Sequence, residues 1–181
     1  MSFQNGHHLE LSSVQTTLHV GAHLDAPSHY HPQGKSIDQC DLNLYLGACQ
    51  VIDCSGAREG IGPEHLQAKS IKAPRVLFKT NSFEPQSVWR DDFAYLRPET
   101  VDLLAVHKVC LVGIDTPSMD HANSKDLLGH QAFYRHQMAI LEGLVLKEVP
   151  EGVYQLVALP LKISGGEASP VRAILLAGES S

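Results

Sequence analysis

Residues 19–31 read HVGAHLDAPSHYH and hold four of the eleven histidines of the chain. Histidine is the commonest metal ligand, and its imidazole exchanges protons near neutral pH. His19, His23, Asp25 and His29 all carry odd numbers, so on an extended chain they would share one face. A straight strand could not bring them to one ion, because at ~3.3 Å per residue His19 and Asp25 would stand ~20 Å apart. Convergence requires a bend, and Gly21 and Pro27 make one available. The i, i+4 spacing of His19 and His23 also fits a helix, but the same glycine and proline oppose it. A solvent-facing polar stretch is the other reading. Two imidazoles and a carboxylate suit catalytic zinc with an open position. Manganese and ferrous iron accept the same nitrogen and oxygen donors. Asp25 could bridge two ions through its two oxygens. A bound ion lowers the pKa of its water towards ~7, and His29, beyond the ligands, would then act as the proton shuttle.

A second group lies in GHQAFYRHQMAILEG, with His130, His136 and Glu142. The local pattern predicts a helix with Phe133, Met138 and Leu141 on its apolar stripe. His136 on that helix is expected to be structural. Glu142 ends a buried apolar run and needs a partner, which could be a cation, a backbone amide or a metal. Asp115 follows the apolar run CLVGI and is expected to cap the Thr116-Pro117 turn or to support the site from behind. No phosphate-binding glycine motif and no GxSxG nucleophile motif is present. Cys49, Cys54 and Cys110 lie in apolar runs, and the acids flanking Cys40 disfavour its thiolate.

The elements that must position these residues follow from periodicity. Strands are expected over residues 9–19, 48–53, 75–80, 109–114, 144–146, 153–163 and 171–176, with Pro160 marking a bulge or edge in the sixth. Residues 21–34 read as irregular. Helices are expected over 38–46, 63–69, 98–107 and, capped by Ser124, from there to about Met138. The class is α/β in the mixed α+β sense, with a largely buried sheet and a few covering helices. The length of 181 residues fits one domain over 1–181. A net charge of -6 and a pI near 6.0 oppose binding to nucleic acid or anionic membranes. No apolar run approaches the ~18 residues of a membrane span. No signal peptide is visible, so the four cysteines are expected to be reduced in the cytoplasm.

HVGAHLDAPSHY resembles the HxxxHxDxxxH signature of the metal-dependent cyclase family, which includes bacterial kynurenine formamidase, also called arylformamidase. The resemblance continues through DLNLYLGACQVIDCSG, LVGIDTPSMD, HQMAILEGLVL and LPLKISGGEASPVRAIL, in the family's order. GIDTPSMD and EASPVRAIL lean towards the formamidase branch. The resemblance implies a swivelling β/β/α domain and a homo-oligomer, a dimer or tetramer. It implies two zinc ions per subunit, with manganese in some relatives. His19, His23 and Asp25 would hold the first ion, with Asp25 and Glu142 bridging to a second on His130. His29 would be the catalytic acid/base, while His31 and His136 match no catalytic position. The implied reaction is hydrolysis of N-formyl-L-kynurenine to L-kynurenine and formate, in tryptophan catabolism. The alternatives are opening of a cyclic amide such as isatin, and a catalytically silent metal-binding homologue. Family members usually begin upstream of the position matching Met1, with a strand and an aromatic residue of the substrate pocket. That segment is expected to be missing here.

Overall fold

The computed structural model describes residues 1–57, 59–84 and 86–177. Four parallel strands form its centre: β2 (Leu46–Asp53), β4 (Arg75–Lys79), β6 (Leu111–Ile114) and β7 (Ala139–Glu142). Parallel strands covered on both faces read as near-continuous apolar runs, which is why VLF and CLVGI were legible as strands. Antiparallel strands flank them. On one side stand β8 (Gly152–Val157) and β10 (Ile174–Ala177), and on the other β1 (His23–Asp25) and β9 (Ala168–Pro170). The order is β10-β8-β2-β4-β6-β7-β1-β9. A separate ribbon pairs β3 (Gly60–Ile61) with β5 (Tyr95–Leu96).

This order forces the sheet to curl. β9 and β10 occupy opposite edges, yet only residues 171–173 separate them. Four steps of chain span at most ~14 Å, whereas the edges of a flat eight-stranded sheet would stand ~34 Å apart. The sheet is therefore a half-barrel in a mixed α/β protein.

Alternation along the strands divides the interior in two. Ile52, Val76, Phe78, Val112, Ile114 and Ile140 cluster with Val101 and Leu104 of α2 (Pro98–Val106) and with Ala132 and Phe133 of α3 (Leu128–His136). Val51, Leu77, Leu111, Leu141 and Leu24 turn to the other face and cluster with Ile37, Tyr45, Leu144 and Leu156. α1 (Pro27–Tyr30) is a single helical turn that follows β1 directly.

Several expectations need correction. Residues 9–17 form no strand: all are exposed and none joins a ladder. Their Ser, Thr and Val content favours a pleated, half-buried surface, and no partner strand supplies one. Residues 23–25, expected to be irregular, are a buried strand. The residue 38–46 and 63–69 segments form 3-10 turns, Ile37–Gln39, Leu42–Tyr45 and Pro63–Leu66. The helix expected from Ser124 begins at Leu128, after Leu127 adopts a left-handed φ of 47°, and it ends where Gln137 does the same at 54°. Met138 and Leu141 therefore belong to the following chain and strand. Residues 144–146 join no ladder, and the strand expected to reach residue 163 stops at Val157, before Pro160.

Candidate metal centre

β1 carries His23 and Asp25 on one face, and the antiparallel register sets Glu142 of β7 directly opposite His23. His19 precedes the strand. The backbone bends at Gly21, whose φ is +59°, and the His19 Nδ1 atom comes to 3.0 Å from Asp25 Oδ1. α3 lies over this face and lowers His130 into it. The His130 Nε2 atom is 3.3 Å from Asp25 Oδ2 and 3.5 Å from Glu142 Oε1. The His23 Nε2 atom is 3.4 Å from Asp25 Oδ1 and 3.3 Å from Glu142 Oε2. His23, Asp25, His130 and Glu142 are buried, and His19 is partly open to solvent.

The hydrogen bonds behind these side chains fix which atoms face inward. A carbonyl can only accept, so His23 Nδ1 donates to the Gly21 carbonyl at 2.9 Å. His130 Nδ1 donates to Asp120 Oδ2 at 2.6 Å. Each neutral ring then turns an Nε2 lone pair towards carboxylate oxygens. Acceptors facing acceptors in a buried site require a cation between them. His19 Nε2, His23 Nε2 and Asp25 Oδ1 are buried without a hydrogen-bond partner. Ligand atoms of His19, His23 and Asp25 lie within 4.8 Å of one another, and so do those of Asp25, His130 and Glu142. Asp25 belongs to both groups. The residues present thus fit divalent ions.

Electrostatics says the same. Burial, and then the Asp25 charge, push the Glu142 carboxyl up. Burial opposes ionisation of Asp25 as well, but the close imidazoles of His130 and His19 hold it well below the usual carboxylate range. Burial works against a charged His130; the Asp120 and Asp25 bonds and the Glu142 charge outweigh it and raise the ring to about 10. Burial opposes a charged His23 too, but the nearby Glu142 and Asp25 carboxylates outweigh it and move the ring up. Without a metal, protons on the imidazoles neutralise the two acids.

Residues that had drawn no attention in the sequence complete the frame. Asp120 accepts from the Gly129 and His130 amides at 2.8 and 2.9 Å, so it caps α3 from outside while orienting the His130 ring. The Met119 amide donates to Glu142 Oε1 at 2.7 Å. Asp120 stood in the quoted GIDTPSMD block, but ten residues of loop and helix hide its pairing with His130. Asp115 does not cap the Thr116-Pro117 turn. It receives the Thr80 and Asn81 amides and the Thr80 hydroxyl, at 2.6 to 3.0 Å. His136 pairs with Asp102 at 2.7 Å on the surface, away from the cluster.

His29 is exposed on α1, its ring 4.2 Å from that of His19 and 6.2 Å from that of His130. Partial burial lowers its pKa, so it is neutral at neutral pH. It stands beside the cluster, outside both groups of converging ligand atoms.

Gly143 holds the β1–β7 crossing together. Its φ is +66°, and a Cβ there would lie 2.3 Å from the Gly21 carbonyl oxygen, the acceptor that orients His23. Gly143→Ala is expected to destabilise the protein by at least ~2 kcal/mol, combining left-handed strain with backbone displacement. A denaturant midpoint unchanged at constant m-value would refute this.

The curled mixed sheet thus carries a cluster of three imidazoles and two carboxylates whose ligand atoms converge as metal ligands do. The family model for Cyclase matches residues 2–121, and the chain belongs to that family. Among solved structures, a potential metal-dependent hydrolase with cyclase activity is 33% identical, with a TM-score of 0.81, over 89% of this chain and 80% of that one. A predicted metal-dependent hydrolase from Bacillus stearothermophilus is 32% identical, with a TM-score of 0.79, over 93% and 82%. Isatin hydrolase A from Labrenzia aggregata, bound to benzyl benzoate, is 25% identical, with a TM-score of 0.74, over 90% and 75%. No described helix is long and apolar enough to cross a membrane.

Proposed function

We propose that the protein is a metal-dependent amidohydrolase that converts N-formyl-L-kynurenine and water to L-kynurenine and formate. The observation that carries a dinuclear centre is the place of Asp25 in both ligand groups. His19, His23 and Asp25 would hold one ion, and Asp25, His130 and Glu142 the other. Zinc suits these donors, and manganese is the second choice. When bound, the ions supply Lewis acidity and charge stabilisation at the scissile carbonyl. The chain supplies the proton traffic. A ring nitrogen of neutral His29 takes a proton from the attacking water and returns it to the departing arylamine nitrogen as the C–N bond breaks. His130 is kept in register by Asp120, and His23 by the Gly21 carbonyl. The formamidase branch is favoured by the GIDTPSMD and EASPVRAIL blocks. Opening of a cyclic amide is the second reading, favoured by the likeness to isatin hydrolase A.

The test is amine release from N-formylkynurenine by metal-stripped protein as zinc or manganese is titrated back, with isatin in parallel. Metal-dependent amine release supports the first reading. Turnover of isatin alone selects the second. Uptake of metal with neither turnover would discard both substrates.

Metal affinity should depend steeply on pH. His130, at about 10 in the metal-free state, must lose its proton throughout the neutral range, and raised His23 loses one over part of it. Binding is therefore expected to tighten by roughly tenfold to a hundredfold per unit between pH ~6 and ~8. Competition with a chelating dye would measure it, and a flat profile would contradict the electrostatics described above.

A further inference from the structure

Beside the cluster lies a cavity of about 640 Å³, bordered by Pro27 and Tyr30 of α1 but not by His29. It borders Asp25, but His19, His23, His29, His130 and Glu142 do not line it. We propose that this cavity is a second ligand site that takes a small aromatic monocarboxylate. The inference does not depend on the reaction assigned to the metal centre.

Three features point to that ligand class. The volume falls within the ~300–1,000 Å³ of small-molecule sites. Its walls include the rings of Tyr30, Tyr45 and Phe133, whose edges suit a flat ring, and the aliphatic side chain of Leu44. The third feature is unmatched polarity. Lys35 lines the cavity and is exposed, and its ammonium has no acid within 4.0 Å among the described residues. The Tyr30 hydroxyl, on a ring only 8% exposed, makes no hydrogen bond among the described residues. An ammonium and a phenolic O–H together suit one carboxylate. Arg135 also lines the cavity, though Asp102 engages it at 3.4 Å. The lining acids do not cancel this charge. Asp25 is engaged with the imidazoles, and Asp41 accepts the Asn43 amide at 3.0 Å to cap its 3-10 turn.

Soaking crystals of the full-length, metal-loaded protein with 4-bromobenzoate would locate the ligand by the anomalous signal of bromine. The expected peak lies among Tyr30, Tyr45 and Phe133. In solution, Lys35→Gln should weaken 4-bromobenzoate binding about tenfold. Leu44→Trp should fill the space and abolish binding, with metal content unchanged as proof of fold. Bromobenzene, which lacks the carboxylate, should bind at least about tenfold more weakly. A bromine peak only at the His19–Asp25–Glu142 cluster, no peak, or affinity indifferent to Lys35→Gln would overturn the proposal.

Discussion

His29→Ala is expected to lower kcat by about 10²–10⁴ while the protein keeps its full metal content. In free energy that is about 3–5.5 kcal/mol of transition-state stabilisation. The two halves of this outcome come from different parts of the structure. The rate loss follows from the position of a neutral imidazole beside His19, on the solvent side of the cluster. The retained metal follows from the ligand groups, neither of which includes His29. Alanine suits the single turn of α1, so the backbone from Asp25 to Tyr30 should stay in place. KM should change little, because the lost interaction belongs to proton transfer. Metal analysis by atomic emission beside steady-state kinetics distinguishes the outcomes. A variant that loses its ions would make His29 a ligand and remove its assigned role.

Asp25→Asn should have a still larger effect, on stoichiometry as well as rate. Asp25 is the member shared by both ligand groups. An amide has nearly the same shape, but it loses the negative charge and one of the two oxygens that face His19, His23 and His130. Bound metal should fall from about two ions per chain to near zero, and turnover should disappear with it. His19→Ala is the matched control, since it removes a ligand from one group only and should leave about one ion per chain. The thermal transition of each metal-free variant would show whether the fold persists. If Asp25→Asn still bound one ion tightly, Asp25 would not be the bridge.

Much of this site could be read before the fold was known, because it depends on local features. Equal parity grouped His19, His23, Asp25 and His29, of which only His29 stands outside the converging ligand atoms, and the ~20 Å objection to a straight strand correctly demanded a bend. The bend is Gly21, and regular pairing is confined to the three residues of β1. The central strands β2, β4 and β6 and the helix α2 were legible because burial on both faces, or helical periodicity, writes itself into consecutive residues. What stayed hidden depends on distant partners. Composition favoured a strand over residues 9–19, but a strand exists only where a ladder partner does. The left-handed Gln137 that ends α3 carries no glycine to announce it. Asp120 orients His130 from a loop, so no periodicity reveals it. That His130 and Glu142 meet Asp25 was implied by family resemblance; the β1–β7 register supplies the physical reason for Glu142, and the bond to Asp120 orients His130.

The place of β1 in the sheet also bears on how the protein acquires its ions during synthesis. Among the described strands β1 comes first in the chain, yet its ladder partners are β7 and β9, which end at residues 142 and 170. Until β7 has emerged, the His23 and Asp25 backbone has neither ladder partner, and two of the five candidate ligands, His130 and Glu142, have yet to join them. A nascent chain therefore cannot present the assembled centre, however early its histidines appear. The central strands can pair first, as successive parallel neighbours, and the ion-binding edge closes over them last. A chain cut short before β9 would thus carry His19, His23, Asp25, His130 and Glu142 but lack one of the two strands that pair with β1.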